Sequence, residues 1–317
     1  MKKCLLLMLL LFSIKVFGQD SYIVSTQSAE EKARVKDLTE EERFVRDNFD
    51  KINIADWHKG MRFMAVYKKD IIDMSLLRGE NGGKLSDYYH HIIVVDSIVE
   101  RTCAWDGKIK TYIVFKTDSD TFLEYEFPGK MEEMRNANFY GIKGIVSLDE
   151  VDTARKLLLG KTLYTKKNEG YYDTDKGLRV MIVKKMAPYR IEEIGVGNED
   201  CGIKLIAKGN DGKKCCFVVQ MHKNSNAVMI KGNGYFHDTF YLSNPRTKYK
   251  NIPLSIWNLI ISGKVQRGMT KEQCRLSWGN PEKVNVTTGA FGTHEQWVYY
   301  GDSYLYFENG KLTAIQN

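Results

Sequence analysis

Apolar and polar residues alternate along most of the chain between Trp57 and Met221, and this period of two predicts β-strands. The runs are rich in Val, Ile, Tyr, Phe and Thr, which suit a pleated, half-buried surface. The predicted strands are Met61 to Tyr67, His91 to Cys103, Lys110 to Lys116, Thr121 to Phe127, Leu178 to Lys185, Tyr189 to Val196, Cys201 to Ala207 and Lys214 to Met221. Antiparallel sheet should therefore dominate this region, because short turns separate most of the runs.

The two halves of this region follow the same plan. A helix leads into Gly60 in the first half and into Gly160 in the second, and each glycine precedes a strand, a long bent strand pair and a hairpin. The two helices are predicted at Ile52 to Lys59 and Val151 to Leu159. On this interpretation the turn Asn210-Asp211-Gly212 matches Asp106-Gly107. We predict a duplicated, barrel-like β module, with one larger sandwich as the alternative, because short strands at this spacing suit both.

Helical spacing appears near the N-terminus. Thr39 can cap a helix, and Glu42 completes the capping-box pattern three positions later. Phe44, Val45 and Phe49 form one apolar stripe behind the cap. A helix preceded by a polar tail is therefore predicted within residues 19–50.

Helical spacing returns in the C-terminal segment, and strands follow it. Pro253 suits the first turn of a helix that contains Trp257. Thr270 can cap a second helix, which ends at Gly279. Alternating aromatic residues then lie on either side of Asn309-Gly310, a strong signal for a tight hairpin turn. The segment is predicted to fold as ααβββ.

The same C-terminal residues resemble the BamE (SmpA/OmlA) family of small outer-membrane-assembly lipoproteins. The family has the pattern G-M-T-x-x-x-V, L-G-x-P, W-x-Y and F-x-x-G-x-L. The corresponding residues in this chain are Gly268-Met269-Thr270, Trp278-Gly279-Asn280-Pro281, Trp297-Val298-Tyr299 and Phe307 to Leu312. The resemblance implies an ααβββ domain that acts in the cell envelope by binding protein. The same shape is similar to the repeats of secreted β-lactamase inhibitor proteins, and the rest of the chain has no comparable likeness.

Residues 1–18 have the pattern of a cleavable secretory signal, with a basic start, an apolar run from Leu5 to Phe12 and tolerated residues before Gln19. This run is much shorter than the ~20 apolar residues that a membrane-spanning helix needs. Cys4 precedes the apolar run, where a lipid-acceptor cysteine cannot lie, so no lipid anchor is predicted. We expect an exported protein without a membrane span, in the periplasm or on the outer surface of a Gram-negative bacterium.

Net charge indicates the class of partner, and the order of the predicted elements indicates the domain organisation. Loss of three lysines with residues 1–18 lowers the formal net charge from +7 to +4, and the charges are interspersed, which argues against a nucleic-acid partner. The predicted class is α+β, with two antiparallel β-rich, barrel-like units before the ααβββ domain. The predicted parts are a signal peptide at 1–18, an N-terminal tail and helix at 19–50, β-rich units at 51–145 and 146–248, and the BamE-like domain at 249–317.

Cysteine and histidine patterns predict no metal site. The mature chain would keep five cysteines, an odd number, and the neighbouring predicted strands make Cys201 to Cys215 or to Cys216 the candidate disulfide. Cys215 and Cys216 are adjacent, as are His90 and His91, and adjacent strand residues point to opposite faces. Neither pair can ligate one ion without a turn.

No sequence motif predicts catalysis or a cofactor. The chain contains no G-x-S-x-G, H-E-x-x-H or P-loop pattern. Its adjacent acidic residues Glu132-Glu133, Asp149-Glu150 and Glu192-Glu193 are interpreted as solvated charge, because carboxylates act as acid and base only where their environments differ. We therefore predict a protein that is not an enzyme.

Aromatic residues of the C-terminal sheet are the candidate partner-binding residues. They are Trp297, Tyr299, Tyr304 and Tyr306. Alternation places Leu305 and Phe307 in the core, with Tyr304 and Tyr306 on the opposite face; tyrosine that merely fills half-buried strand positions is the alternative. The resulting hypothesis is a non-catalytic cell-envelope protein that binds an envelope protein in outer-membrane assembly or maintenance. A secreted glycan-binding or inhibitor-like protein is the alternative function.

Overall fold

The computed structural model describes residues 23–25, 38–68, 77–79, 82–174, 177–222, 234–290 and 292–317; the predicted signal peptide lies outside them. The fold is mixed α+β, as predicted. One compact unit comprises Asp37–Ile252, and another comprises Pro253–Asn317 together with strand β1 (Ile23–Ser25). The longest described helix has 11 residues, and no described helix combines the length and apolar character needed to cross a bilayer.

The unit Asp37–Ile252 begins with a helix and a first sheet. Its elements are α1 (Glu40–Asn48), β2 (Arg62–Ala65), β3 (Leu77–Gly79), β4 (Ile92–Thr102), β5 (Ile109–Thr117), β6 (Phe122–Phe127), α2 (Met131–Asn136) and β7 (Ile145–Ser147). Thr39 forms the predicted capping box with Glu42. The segment predicted as a helix before Gly60 forms only one 3-10 turn, Ile54–Asp56, which the side chain of Asn53 caps.

A second sheet follows in the same unit. Its elements are α3 (Leu148–Leu158), β8 (Thr162–Thr165), β9 (Glu169–Thr174), β10 (Gly177–Ile182), β11 (Pro188–Val196), β12 (Ile203–Gly209), β13 (Lys214–Val219), α4 (Phe236–Thr239), β14 (Phe240–Tyr241) and α5 (Pro245–Lys248). Both sheets are curled, antiparallel half-barrels, which excludes the single larger sandwich.

Strand order is the same in the two sheets. The first runs β3-β6-β5-β4-β2-β7, and the second runs β10-β9-β13-β12-β11-β8-β14, so that the β9–β10 hairpin occupies the edge that β3 holds in the first. The backbone N–H of Gly60 donates to Val95 at 2.9 Å, and that of Gly160 donates to Ile191 at 2.9 Å. A β-bulge follows Val95 and another follows Ile191. This agreement in detail supports the predicted duplication of the module.

One predicted correspondence within the repeat is wrong. Asn210-Asp211-Gly212 joins β12 to β13, and its counterpart is therefore the β5–β6 turn at residues 118–120. The Asp106-Gly107 turn joins β4 to β5 and corresponds to residues 197–202 between β11 and β12. The sequence suggested the wrong partner because Asp-Gly marks a tight turn without indicating which strands it joins.

Each sheet encloses its own hydrophobic core. Trp57, Phe63 and Phe115 lie in the first core, with ring centroids of Trp57 and Phe63 4.5 Å apart. Helix α1 packs instead on the second core, where Val45 and Phe49 are buried. Glu41 of α1 is also buried, and its carboxylate lies 3.0 Å from Lys166 Nζ. The first helix of the unit is thus held to the second module.

The C-terminal unit contains two helices and a five-stranded antiparallel sheet. Its elements are α6 (Leu254–Ile261), α7 (Lys271–Trp278), β15 (Lys283–Gly289), β16 (Gly292–Tyr299), β17 (Ser303–Glu308) and β18 (Lys311–Gln316). The sheet order is β1-β15-β16-β17-β18. Thr270 caps α7, and Asn309-Gly310 forms the predicted turn with positive φ at both residues. Two helices precede the strands as predicted, but β15 makes four consecutive strands where three were expected.

Candidate functional site

A cavity of about 350 Å³ lies where the two β modules meet, within the unit Asp37–Ile252. We call it the junction cavity. Its lining comes from the end of α1, the Trp57–Phe63 segment, residues 140–153 around β7 and α3, the β11–β12 hairpin and the chain after β13. Convergent polar groups in a cavity of this size are typical of a binding site.

Glu150 contributes a partly buried carboxyl group to the junction cavity. It lies in the first turn of α3, where Ser147 caps the helix by accepting a hydrogen bond from the Glu150 backbone N–H at 3.3 Å. Burial raises the pKa of Glu150 to about 7, and a hydrogen bond from the Met221 backbone acts in the opposite direction. The Glu150 carboxyl group therefore titrates near neutral pH, and its interpretation as simple solvated charge is wrong.

Glu199 is presented by the β11–β12 hairpin. The side-chain oxygen of Asn198 accepts hydrogen bonds from the backbone N–H groups of Asp200 at 3.1 Å and Cys201 at 2.8 Å, which fixes the turn. One carboxylate oxygen of Glu199, Oε2, is buried without a hydrogen bond and lies 3.7 Å from Lys143 Nζ. This ion pair joins the hairpin to the segment before β7.

Gln220 and His222 follow β13 and also line the cavity. Gln220 is 7% exposed, and its backbone pairs with Gly234 and Phe236. His222 Nε2 lies 2.7 Å from the carbonyl oxygen of Phe49, and burial lowers the pKa of His222. A neutral imidazole that donates through Nε2 fits this contact.

Carboxylates outnumber cationic groups around the junction cavity. The carboxylates in the lining are Asp50, Asp149, Glu150, Glu199 and Asp200. The lining also contains Lys143. Asp149 forms an ion pair, with an N–O distance of 2.8 Å, with Arg62, which does not belong to the lining. Over the described residues, no group of three or more His, Cys, Asp or Glu side chains has a geometry suited to a metal ion. The cavity is thus suited to a ligand that donates hydrogen bonds or carries positive charge.

Of the four predicted partner-binding residues, Trp297 and Tyr299 face the helices. Trp297 is fully buried, its ring lies 4.5 Å from that of Phe307, and its Nε1–H donates to Glu295 Oε2 at 3.0 Å. The ring of Tyr299 contacts that of Trp278 at a centroid distance of 5.2 Å. A buried core tryptophan cannot reach a partner, so the assignment of Trp297 to a binding surface is wrong.

Tyr304 and Tyr306 lie on the other face of the C-terminal sheet, as alternation predicts. Their rings are stacked with centroids 6.5 Å apart, and both side chains are half-buried. Within the described part of the chain, the Tyr304 hydroxyl makes no hydrogen bond. Tyr306 accepts from Gln296 Nε2 at 3.2 Å and donates to Gln316 Oε1 at 2.8 Å.

These contacts belong to a row of hydrogen-bonded side chains that crosses four strands. Asn285 of β15 donates to Gln296 of β16 at 2.9 Å, and the row continues through Tyr306 of β17 to Gln316 of β18. We call this row the polar ladder. An open groove of about 480 Å³ runs beside it, with His294 and Glu308 at one end. The polar ladder therefore presents amide and hydroxyl groups in fixed positions.

The candidate disulfide between Cys201 and Cys215 does not form. Cys215 pairs with Ala207 in the β12–β13 ladder. Ala207 lies six positions after Cys201, and six residues of extended strand span roughly 20 Å. A disulfide requires Cα atoms about 4.4–6.8 Å apart. Both thiols are free and buried, and burial raises the pKa of Cys201 to about 11 and that of Cys215 to about 12. The pairing of Cys201 with Cys216 fails for the same reason of register.

The His90-His91 pair has a structural role in a turn. His90 has a positive φ of 66°, and its ring stacks on that of Tyr89 at a centroid distance of 3.8 Å. His91 Nδ1 lies 2.9 Å from Asp118. His90 has a counterpart in the second module, where Met186 has a φ of 59° and forms the equivalent backbone hydrogen bond, to Thr165.

Sequence reasoning did not identify the junction cavity as a site. Glu150 belongs to an acidic pair at a predicted helix, a pattern that most often lies in solvent. Glu199 and Gln220 carry no motif at all, and the three residues meet only because the two modules pack together. Comparisons of the chain with protein-family models, curated proteins and solved structures found no match.

Proposed function

We propose that this protein is a non-catalytic, exported binding protein of the cell envelope, which recognises a protein partner through the polar-ladder face of its C-terminal sheet. The observation that carries the proposal is the ladder itself, with Tyr304 beside it. Its partner is an envelope protein that offers an uncharged surface rich in hydrogen-bonding groups. The signal-like pattern of residues 1–18 supports export.

Preorganisation is the first support for this proposal. Asn285, Gln296, Tyr306 and Gln316 hold one another in place, and ordering a free side chain on binding costs about 0.5–1.5 kcal/mol. A face whose side chains are already ordered avoids much of that cost. It also keeps donors and acceptors in a fixed pattern, which favours one partner over others.

Residue composition is the second support. Tyrosine and neutral amides are the side chains that recognition surfaces use for contact area and adaptable hydrogen bonds. Tyr306 already uses its hydroxyl within the ladder, whereas that of Tyr304 makes no hydrogen bond to the described residues. Tyr304 is therefore the residue most suited to contact a partner, and Tyr306 the residue that orders the face.

Site-specific photocrosslinking in the native organism tests this proposal. A photoreactive side chain at position 304 should capture one envelope protein, and the same group at position 300 should not. Tyr300 is a matched control because it is a tyrosine of the same unit, is 81% exposed and lies in the β16–β17 turn. A Gln296→Lys change, which places a charge in the ladder, should abolish the capture.

Binding of the purified partner then separates recognition from folding. We expect Tyr304→Ser to weaken binding at least tenfold, while Tyr300→Ser changes it less than twofold and both keep the thermal midpoint within a few degrees. Capture of the same proteins from positions 300 and 304 would contradict the proposal. If Tyr304→Ser instead abolished retention of the protein on polysaccharide and left protein capture unchanged, the result would favour glycan binding.

A further inference from the structure

We propose that the junction cavity binds a small organic cation, whose ammonium group is received by the carboxylate of Glu199 and the side-chain amide of Gln220. The site is distinct from the polar ladder, and it does not depend on the function proposed for that face. Three independent properties of the cavity support it: an unsatisfied carboxylate oxygen, negative charge and an apolar wall.

The unsatisfied carboxylate oxygen is the strongest of the three. Glu199 Oε2 is buried with no hydrogen bond, and Gln220, which is 7% exposed, adds a side-chain amide to the same lining. Leaving a buried carboxylate oxygen unsatisfied costs free energy, and native structures contain few such atoms. Both residues line the same cavity. A ligand with several N–H donors recovers this energy by bonding to the carboxylate and to the amide oxygen.

The charges of the lining residues indicate which charge the ligand carries. The lining contains five acidic side chains and the ammonium group of Lys143. Asp149 is paired with Arg62, and Glu150 has a raised pKa, which leaves Asp50, Glu199 and Asp200 as the remaining carboxylates. Lys143 lies 3.7 Å from Glu199 Oε2, beyond hydrogen-bond distance, so it neutralises this carboxylate without saturating it. A concave site lined by one sign of charge concentrates ligands of the opposite sign. An anionic ligand is therefore disfavoured, and a cation is favoured.

The apolar wall indicates an organic cation. Ile52, Trp57, Met61 and Ile142 line the cavity beside the carboxylates. The described residues contain no metal-ligand cluster. A volume of about 350 Å³ suits a molecule with a short carbon chain or ring. The lining thus combines a polar end for an ammonium group with an apolar side for its carbon skeleton.

Calorimetric titration of the full chain with 1,5-diaminopentane tests the proposal. The matched ligand is 1,5-pentanediol, which has the same carbon chain without positive charge. We expect saturable binding of one diamine and no detectable binding of the diol. Equal binding of the two compounds, or no diamine binding at millimolar concentration, would overturn the proposal.

Variants assign the binding to the two residues. Glu199→Gln should weaken diamine binding about tenfold, because it removes a charge-assisted hydrogen bond to the ammonium group. Gln220→Leu should weaken it several-fold. Glu193→Gln is the matched control, since Glu193 is exposed on β11 outside the cavity and loses the same charge. Equal effects of Glu199→Gln and Glu193→Gln would refute the assignment; thermal unfolding confirms that each variant is folded.

Discussion

Gly60 and Gly160 occupy the same position in two copies of one β module. Each precedes the first strand of its module, and each donates a 2.9 Å hydrogen bond to the residue before a β-bulge, Val95 or Ile191. Both glycines have positive φ, 96° and 75°. No atom would contact a Cβ at either position within 4 Å, so the requirement for glycine comes from the backbone alone.

Alanine at these two positions should therefore have matched effects. We expect Gly60→Ala and Gly160→Ala each to lower the free energy of unfolding by roughly 1–2 kcal/mol, the cost of a left-handed conformation. Urea unfolding measures the effect. Gly195→Ala is the control, because Gly195 has no positive φ and an added Cβ would contact nothing. Strongly unequal losses at the two positions would contradict their equivalence.

Glu41 should be among the most sensitive charged residues. Its carboxylate contacts Lys166 Nζ at 3.0 Å and accepts the backbone N–H of Leu242 at 3.2 Å, and its side chain is 4% exposed. Removing one member of a buried ion pair leaves the other charge unpaired. We expect Glu41→Gln to cost roughly 3 kcal/mol in urea unfolding. The neighbouring exposed Glu40→Gln should have little effect, and a double change with Lys166→Met should recover part of the loss.

The Glu150 carboxyl group should make stability depend on pH. Its pKa is about 7 in the folded chain, against an ordinary value of 4.5. Between these pH values the folded state binds more protons than the unfolded state, so the free energy of unfolding falls as pH rises from 4.5 to about 7. The loss should be on the order of 1–3 kcal/mol.

Comparison with Glu150→Gln isolates this component, because groups that titrate in both proteins cancel in the difference. The stability of the wild type relative to Glu150→Gln should fall between pH 4.5 and 7 and level off above that range. Urea unfolding at several pH values measures it, with Glu193→Gln as the control. A difference that stays constant with pH would show that the Glu150 carboxyl group is not perturbed.

Gly197 should be required for the hairpin that carries Glu199. A Cβ at Gly197 would overlap the carbonyl oxygen of Cys201, so the turn must move to accept any other residue. We expect Gly197→Ala to cost roughly 2 kcal/mol and to weaken diamine binding as well, whereas Gly195→Ala should do neither. Normal stability and normal binding in Gly197→Ala would contradict the described geometry of the turn.

Features set by neighbouring residues could be predicted from the sequence. Thr39 and Thr270 cap their helices because a cap depends on the next three residues. Asn309-Gly310 forms its turn because these residues tolerate positive φ. The repeat was visible for the same reason, since Gly60 and Gly160 precede strands of similar pattern.

Features set by pairing over long distances could not be predicted. Trp297 pairs with Leu305, so both residues face the core, but this register depends on the β16–β17 turn at residues 300–302. Glu150, Glu199 and Gln220 come together only when the modules pack. The failed disulfide has the same origin, because the register of β12 and β13 separates Cys201 from Cys215.

The buried free thiols allow the rate of opening to be measured separately for each compact unit. Cys274 lies in the C-terminal unit, and Cys201, Cys215 and Cys216 lie in the unit Asp37–Ile252. Because burial both shields these thiols and raises their pKa, an alkylating reagent reaches them mainly when the surrounding structure opens. Timed alkylation followed by peptide mass analysis would therefore report how often each unit opens, without introducing any probe into the chain.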